Sequence, residues 1–203
     1  DEERAVIGTA YVKESRETAV GHGLRYFSGK MKGMAEEAIR LAGERKDTGH
    51  ASGSPSFLIH CWRGGMRSEA VAWLLSLYGY RICLLKGGYK AFRRWALSQF
   101  EKEYSLKILG GYTGSGKTDL LKALRRQGKP VIDLEGLAHH KGSAFGSLGN
   151  PPQPSHEMFE NLLAMELWKL TRDSPGGGPG IWIEDESVHI GTVGIYKNFW
   201  QQM

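Results

Sequence analysis

HCWRGGMRS, residues 60–68, follows directly on the apolar run Ser56-Phe57-Leu58-Ile59. Read outward, it joins a short buried strand to the strongly apolar helix Glu69–Tyr78, EAVAWLLSLY, through a glycine-bearing loop. Arg81–Leu85, RICLL, reads as a second strand, and Lys86-Gly87-Gly88-Tyr89 turns into a basic helix, Lys90–Glu103. Strand, loop and helix repeated in this order predict an α/β fold with a parallel sheet.

Inside the loop the spacing is Cys61, five residues, Arg67, Ser68, with Gly64 and Gly65 between them. A cysteine after a strand and before a helix is expected in a cup of loop N–H groups, at the positive end of that helix. Arg67 adds charge, and so does Arg63. All of these lower the thiol pKa and favour the thiolate. The spacing is that of a cysteine phosphatase and close to that of a rhodanese, which carries sulfur on its cysteine. A tyrosine phosphatase also needs an aspartic general acid, often after Trp-Pro, and no Trp-Pro-Asp occurs. Cys83, within the apolar Ile82-Cys83-Leu84-Leu85, reads as a small core residue, and His60 as a satisfied strand histidine.

Further along, Leu106-Lys107-Ile108-Leu109 runs into Gly110-Gly111-Tyr112-Thr113-Gly114-Ser115-Gly116-Lys117-Thr118. This matches the phosphate-binding P-loop, G-x-x-x-x-G-K-[ST], with a strand before and an amphipathic helix after. Gly111, Gly114, Ser115 and Gly116 let backbone N–H groups turn onto a phosphate, and the helix N-terminus adds its dipole. Lys117 brings charge to the terminal phosphate, and Thr118 brings a hydroxyl for Mg²⁺. A P-loop also needs an acidic residue at the end of a neighbouring strand. Asp185, after Ile181-Trp182-Ile183-Glu184, has that form, and Asp133, after Val131-Ile132, is a second candidate.

Ser15–Arg45 reads as two helices punctuated by glycines. Lys46–Pro55 and Ser174–Gly180 read as loops, and so does the Gly-, Pro- and His-rich Ala138–Pro154. Ser155 is the expected N-cap of a helix to Thr171. A domain boundary is expected near Tyr104, giving domains 1–104 and 105–203. Lys+Arg exceed Asp+Glu by 27 to 22, a balance that admits a nucleic-acid or polyphosphate partner. No run approaches the ~20 apolar residues of a membrane span, and no membrane partner is expected. Two cysteines neither staple a fold nor build a four-cysteine zinc site, so a reducing cytoplasm is the expected setting. The chain opens on Asp1 and stops at Met203 inside a helix-like stretch, as a piece of a longer protein would.

Six segments then occur in order: HCWRGGMRSEAVAWLLSLYG, LLKGGYKAFRRW, GGYTGSGKTDLLKAL, IDLEGLAHHKGSAFGSLG, QPSHEMFEN and IEDES followed two residues later by Ile-Gly. Together they resemble the bacterial tRNA 2-selenouridine synthases, in which a rhodanese domain is fused to a P-loop domain. The resemblance implies a rhodanese-like α/β domain followed by a P-loop NTPase-like parallel-sheet domain, the latter incomplete at its C-terminal end. It implies a transferase that converts wobble 2-thiouridine of tRNA to 2-selenouridine, with geranyl diphosphate and selenophosphate as co-substrates. On that reading Cys61, assisted by Arg67, holds selenium within the loop of Gly64, Gly65 and Ser68. Gly111–Thr118 and Asp185 bind the diphosphate of the prenyl donor. The Cys61 loop is longer than the usual sulfurtransferase loop, leaving room for a bulky anion. Val188 stands after Ser187 where the family pattern leads one to expect arginine. Lys86, Lys90, Arg93, Arg94, Lys122, Arg125 and Arg126 are candidate contacts to tRNA phosphates; Trp95, spaced helically from Phe92, reads as core. The alternative is a P-loop ATPase or kinase whose rhodanese-like domain senses phosphate or acts as a phosphatase.

Overall fold

The computed structural model describes residues 2–47, 55–112, 114–143, 146–172, 178 and 180–203. Most of the loops read at Lys46–Pro55 and Ser174–Gly180 lies outside the described residues, as does Thr113. The fold is α/β with parallel sheets. The chain divides into two compact units, residues 1–91 and 92–203, and the division falls inside a continuous helix, Gly88–Gln99.

The first unit opens with α1 (Glu2–Lys13) and α2 (Arg16–Asp47). Ser15 separates them: its Oγ accepts the Thr18 N–H at 3.0 Å, a capping contact that starts α2. Sequence reading expected two helices between Ser15 and Arg45; the structure has one. The glycines behind that expectation do not break the helix. A Cβ at Gly21, Gly29, Gly33 or Gly43 would meet nothing within 4 Å, so each costs only the ~1 kcal/mol of an unbranched helix glycine. Burial of Ala19, Ala35, Ala38 and Ala42 offsets that cost, and Glu3 of α1 pairs with Lys30 of α2.

β1 (Ser56–Ile59) and β2 (Arg81–Leu84) pair in parallel, Ser56 opposite Arg81 and Ile59 opposite Leu84. α3 (Met66–Ser76) connects them and packs against both. Here the reading of a buried strand is corrected. Leu58 is 67% exposed, and its register partner Cys83, expected in the core, is exposed beside it. Among the described residues this sheet has two strands, too narrow for both faces to be covered.

The second unit begins in α4, the helix Gly88–Gln99. Its sheet has the order β3 (Leu106–Leu109), β5 (Ile181–Glu184), β4 (Val131–Ile132), all parallel. α5 (Lys117–Arg126) follows β3, the short α6 (Leu134–Ala138) follows β4, and α7 (His156–Thr171) precedes β5. α7 sets Phe159, Leu163 and Leu167, one helical face, into a core with Ile132, Ile183, Phe100 and Phe199. Ser155 caps α7 as expected, accepting the Met158 N–H at 3.2 Å. A two-residue hairpin, β6 (His189–Ile190) and β7 (Val193–Gly194), follows, and α8 (Lys197–Trp200) closes the described chain. The Gln153 amide staples this hairpin to α6. It donates to Ala138 and Ile190 carbonyls at 3.1 and 3.0 Å and accepts the Thr192 N–H at 2.9 Å.

Candidate functional site

Cys61 lies at the end of β1, half-buried against the first turn of α3. Its Sγ accepts the Gly65 N–H at 3.4 Å and is 3.4 Å from the Ser68 hydroxyl. Burial opposes ionisation of the thiol. The hydrogen bonds from Ser68 and from the Gly65, Arg63 and Gly64 N–H groups outweigh it and bring the pKa down from 9.0 to about 6. The Ser68 hydroxyl also lies 2.9 Å from the Gly65 carbonyl. Its single proton therefore serves either that carbonyl or the sulfur, and a thiolate draws it to sulfur.

The loop holds this shape because a second glycine loop is pressed against it. A Cβ on Gly64 would fall 2.5 Å from the Gly88 nitrogen; one on Gly88 would fall 2.3 Å from the Cys61 carbonyl oxygen. Both glycines have positive φ, 63° and 62°. Backbone bonds lock the approach: Tyr89 N–H donates to the Cys61 carbonyl and Lys90 N–H to the Trp62 carbonyl, each at 2.9 Å. Cys61, Gly64, Gly65 and Ser68 are thus gathered at one point. Arg67 is exposed on the first turn of α3.

The second candidate centre is the end of β3. Gly116, φ 84°, stands at the N-terminus of α5, and the Lys117 amine folds back to donate to the Gly111 carbonyl at 2.8 Å. Asp185 N–H donates to the Leu109 carbonyl at 3.0 Å, which sets Asp185 beside Gly110 where the loop leaves the sheet. Asp133 is turned to another use: its carboxylate accepts the Gly136 N–H at 2.6 Å and caps α6. A carboxylate that sequence reasoning passed over stands closer to the loop. Glu135 Oε2 lies 3.4 Å from the Thr118 hydroxyl, and Glu135 N–H donates to Glu184 Oε1 at 2.8 Å. Glu184 is buried, with Oε2 unpartnered. Burial, with the nearby Asp133 and Glu135 charges acting the same way, pushes its pKa up to about 7. Glu186 is raised as well, by burial first and then by Glu135, with Lys117 opposing. Glu135 follows a strand-end aspartate by two residues, and that position was the available signal. Among the described residues no cluster of three or more His, Cys, Asp or Glu is arranged to hold a metal by itself.

Of the cations named from sequence, Arg93 is withdrawn as a phosphate contact. It pairs with buried Glu160 and donates to Asn161 Oδ1 at 2.9 Å. Arg125 donates to the Val131 carbonyl at 3.2 Å and, with Lys122 and Arg126, lines an open groove. Trp95 packs edge-on against Trp168 with ring centres 6.0 Å apart, as a core residue does. No helix among the described residues is long and apolar enough to cross a membrane.

A parallel strand, a G-x-x-x-x-G-K-T loop and a helix define an α/β protein of the P-loop class, and a separate glycine cradle holds a cysteine whose pKa is lowered. Residues 104–203 match the model of the tRNA 2-selenouridine synthase AAA domain. Over 201 residues the chain is 40% identical to tRNA 2-selenouridine synthase of Sulfurovum sp. (strain NBC37-1), covering 97% of this chain and 50% of the relative. Over 207 residues it is 38% identical to the synthase of Hydrogenovibrio crunogenus, covering 98% and 53%. The chain belongs to the tRNA 2-selenouridine synthase family, and it spans about half the length of the curated relatives it matches. A solved N-terminal domain of a putative ATP/GTP binding protein from Clostridium difficile 630 is 34% identical, with TM-score 0.41, over 47% of this chain and 67% of that one.

Proposed function

We propose that this chain carries the two reactive centres of a cytoplasmic tRNA-modifying transferase that exchanges sulfur for selenium at 2-thiouridine. The Cys61 cradle carries this reading: a thiolate near neutral pH, held by Ser68 and three backbone N–H groups, is suited to taking up a soft chalcogen. In this reading residues 1–104 act as a rhodanese-like domain and residues 105–203 as a P-loop domain. The Cys61 cradle holds selenophosphate, whose selenium attacks C2 of the S-geranylated base. A C–Se bond forms, the C–S bond breaks, geranylthiol leaves, and water cleaves the Se–P bond to release phosphate. The N–H groups of Gly64 and Gly65 and the Arg67 guanidinium steady the anion.

The P-loop supplies the other half. Geranyl diphosphate alkylates the thiocarbonyl sulfur: a C–S bond forms, the C–O bond to diphosphate breaks, and a poor leaving group becomes a good one. Gly111, Gly114, Ser115 and Gly116 present N–H groups to the departing diphosphate, and Lys117 swings from the Gly111 carbonyl to its charge. Asp185 borders the loop. A Mg²⁺ ion accompanying the diphosphate fits the Thr118 hydroxyl with Glu135 beside it, and would neutralise the leaving charge.

The test is nucleoside mass spectrometry on a 2-thiouridine tRNA incubated with the full-length protein, geranyl diphosphate and selenophosphate. Cys61→Ala should accumulate S-geranyl-2-thiouridine, and Lys117→Ala should leave 2-thiouridine untouched. Full selenation by Cys61→Ala would overturn the assignment. An unchanged nucleoside with every protein would favour nucleotide hydrolysis at the P-loop instead.

A further inference from the structure

Three rings are carried by residues whose main chain adjoins Cys61. His60 and Trp62 are its chain neighbours, and Tyr89 is brought in from the second glycine loop. Tyr89 lies between the other two, its ring centre 5.6 Å from Trp62 and 6.1 Å from His60, with ring planes tilted by 38° and 33°. The backbone bonds from Tyr89 and Lys90 to the Cys61 and Trp62 carbonyls fix this arrangement. Trp62 is nevertheless 53% exposed. An indole held at its base and left open to solvent is not serving a core. The two segments that meet here, residues 60–69 and 86–90, carry exposed Arg63, Arg67, Lys86 and Lys90 against one carboxylate, Glu69.

We propose that Trp62, backed by Tyr89, is a stacking platform that receives the target pyrimidine beside the Cys61 sulfur. This rests on the tRNA reading above and adds to it the residue that orients the base. Single-stranded RNA loops are read by splaying a base onto an aromatic face while basic side chains follow the backbone. An apolar prenyl chain would also lie on an indole, but in this reading its diphosphate belongs to the Gly111–Thr118 loop, which leaves the cations of these two segments to the RNA backbone. Trp62 is thus a specificity and positioning residue, distinct from the Cys61 cradle that holds the selenium donor.

The experiment is a binding cycle with the full-length protein. Fluorescence polarisation measures the affinity for a labelled RNA hairpin with 2-thiouridine in its loop, and for the same hairpin with an abasic site there. For the wild type, removing the base should weaken binding about tenfold, the worth of one stacked base. For Trp62→Ala the two hairpins should bind alike, and Trp62→Phe should restore most of the discrimination. Equal loss on base removal in wild type and Trp62→Ala would overturn the platform while leaving the tRNA reading intact. Failure of the 2-thiouridine hairpin to bind the wild type would overturn both. If Trp62→Ala instead raises KM for geranyl diphosphate with hairpin discrimination unchanged, the ring belongs to the prenyl chain and the proposal fails. A melting curve for each variant separates misfolding from these outcomes, and Trp62→Phe keeps the test decisive if Trp62→Ala does not fold.

Discussion

In the unit that holds Cys61 the buried side chains are small or few: Ala10, Ala19, Ala35, Ala38 and Ala42, with Leu74 and Leu75 in α3. Behind the phosphate loop the core is built from Phe100, Phe159, Phe199, Leu163, Leu167, Ile132 and Ile183, all fully buried. Both regions present a glycine loop at the end of a parallel strand. One loop is shaped by a mass of apolar side chains under its sheet. The other is shaped by main chain against main chain, Gly64 on Gly88, tied by the bonds from Tyr89 and Lys90. The contrast shows that a reactive loop can be made rigid without a large core, provided glycines let two backbones meet.

The comparison is open to attack at three points. The largest effect is expected from Phe159→Ala, which should cost about 3–5 kcal/mol in urea unfolding through lost burial and a residual cavity. It should leave the pH profile of Cys61 alkylation unchanged, and a shifted profile would join the two regions energetically. Next is Gly88→Ala. The added methyl has no room, and strain of about 2–3 kcal/mol should be relieved by pushing the two loops apart. Measured in a Cys83→Ser background, the alkylation midpoint should climb from about 6 toward the ordinary thiol range. An unmoved midpoint would show that α3 alone makes the cradle. The smallest effect is that of Ser68→Ala. The thiolate loses a donor and the thiol does not, so the midpoint should rise by about one pH unit. Alkylation should slow at pH 6–7 and be unaffected well above pH 9. A lower midpoint would mean that the hydroxyl proton stays on the Gly65 carbonyl.

Both loops were legible in the sequence because their chemistry depends on residue types at fixed spacing along one segment. The strand order was not, since β5 enters between β3 and β4 only through non-local pairing. Cys83 and Leu58 were misread because an apolar run says nothing about how many strands flank it. α2 was divided in two because interior glycines resemble breaks, and only their open surroundings show that the helix tolerates them. Glu135 escaped because its role depends on Thr118 and Glu184, neither of them a sequence neighbour. Asp133, which has the same strand-end position as Asp185, went to a helix cap; geometry alone separates the two.

The order of the second sheet also bears on how the chain acquires its shape. Among the described residues β3 pairs only with β5, Leu106 opposite Ile181, whereas Ser56 meets Arg81 across a single helix. A nascent chain has both strands of the first sheet soon after α3 is made. The phosphate loop, although its motif is complete at Thr118, waits without a sheet partner until Ile181–Glu184 emerges. Its closure entropy is correspondingly larger. Synthesis paused between these points would hold a finished cysteine cradle and an unanchored phosphate loop, with the edge of β3 exposed to chaperones or to aggregation.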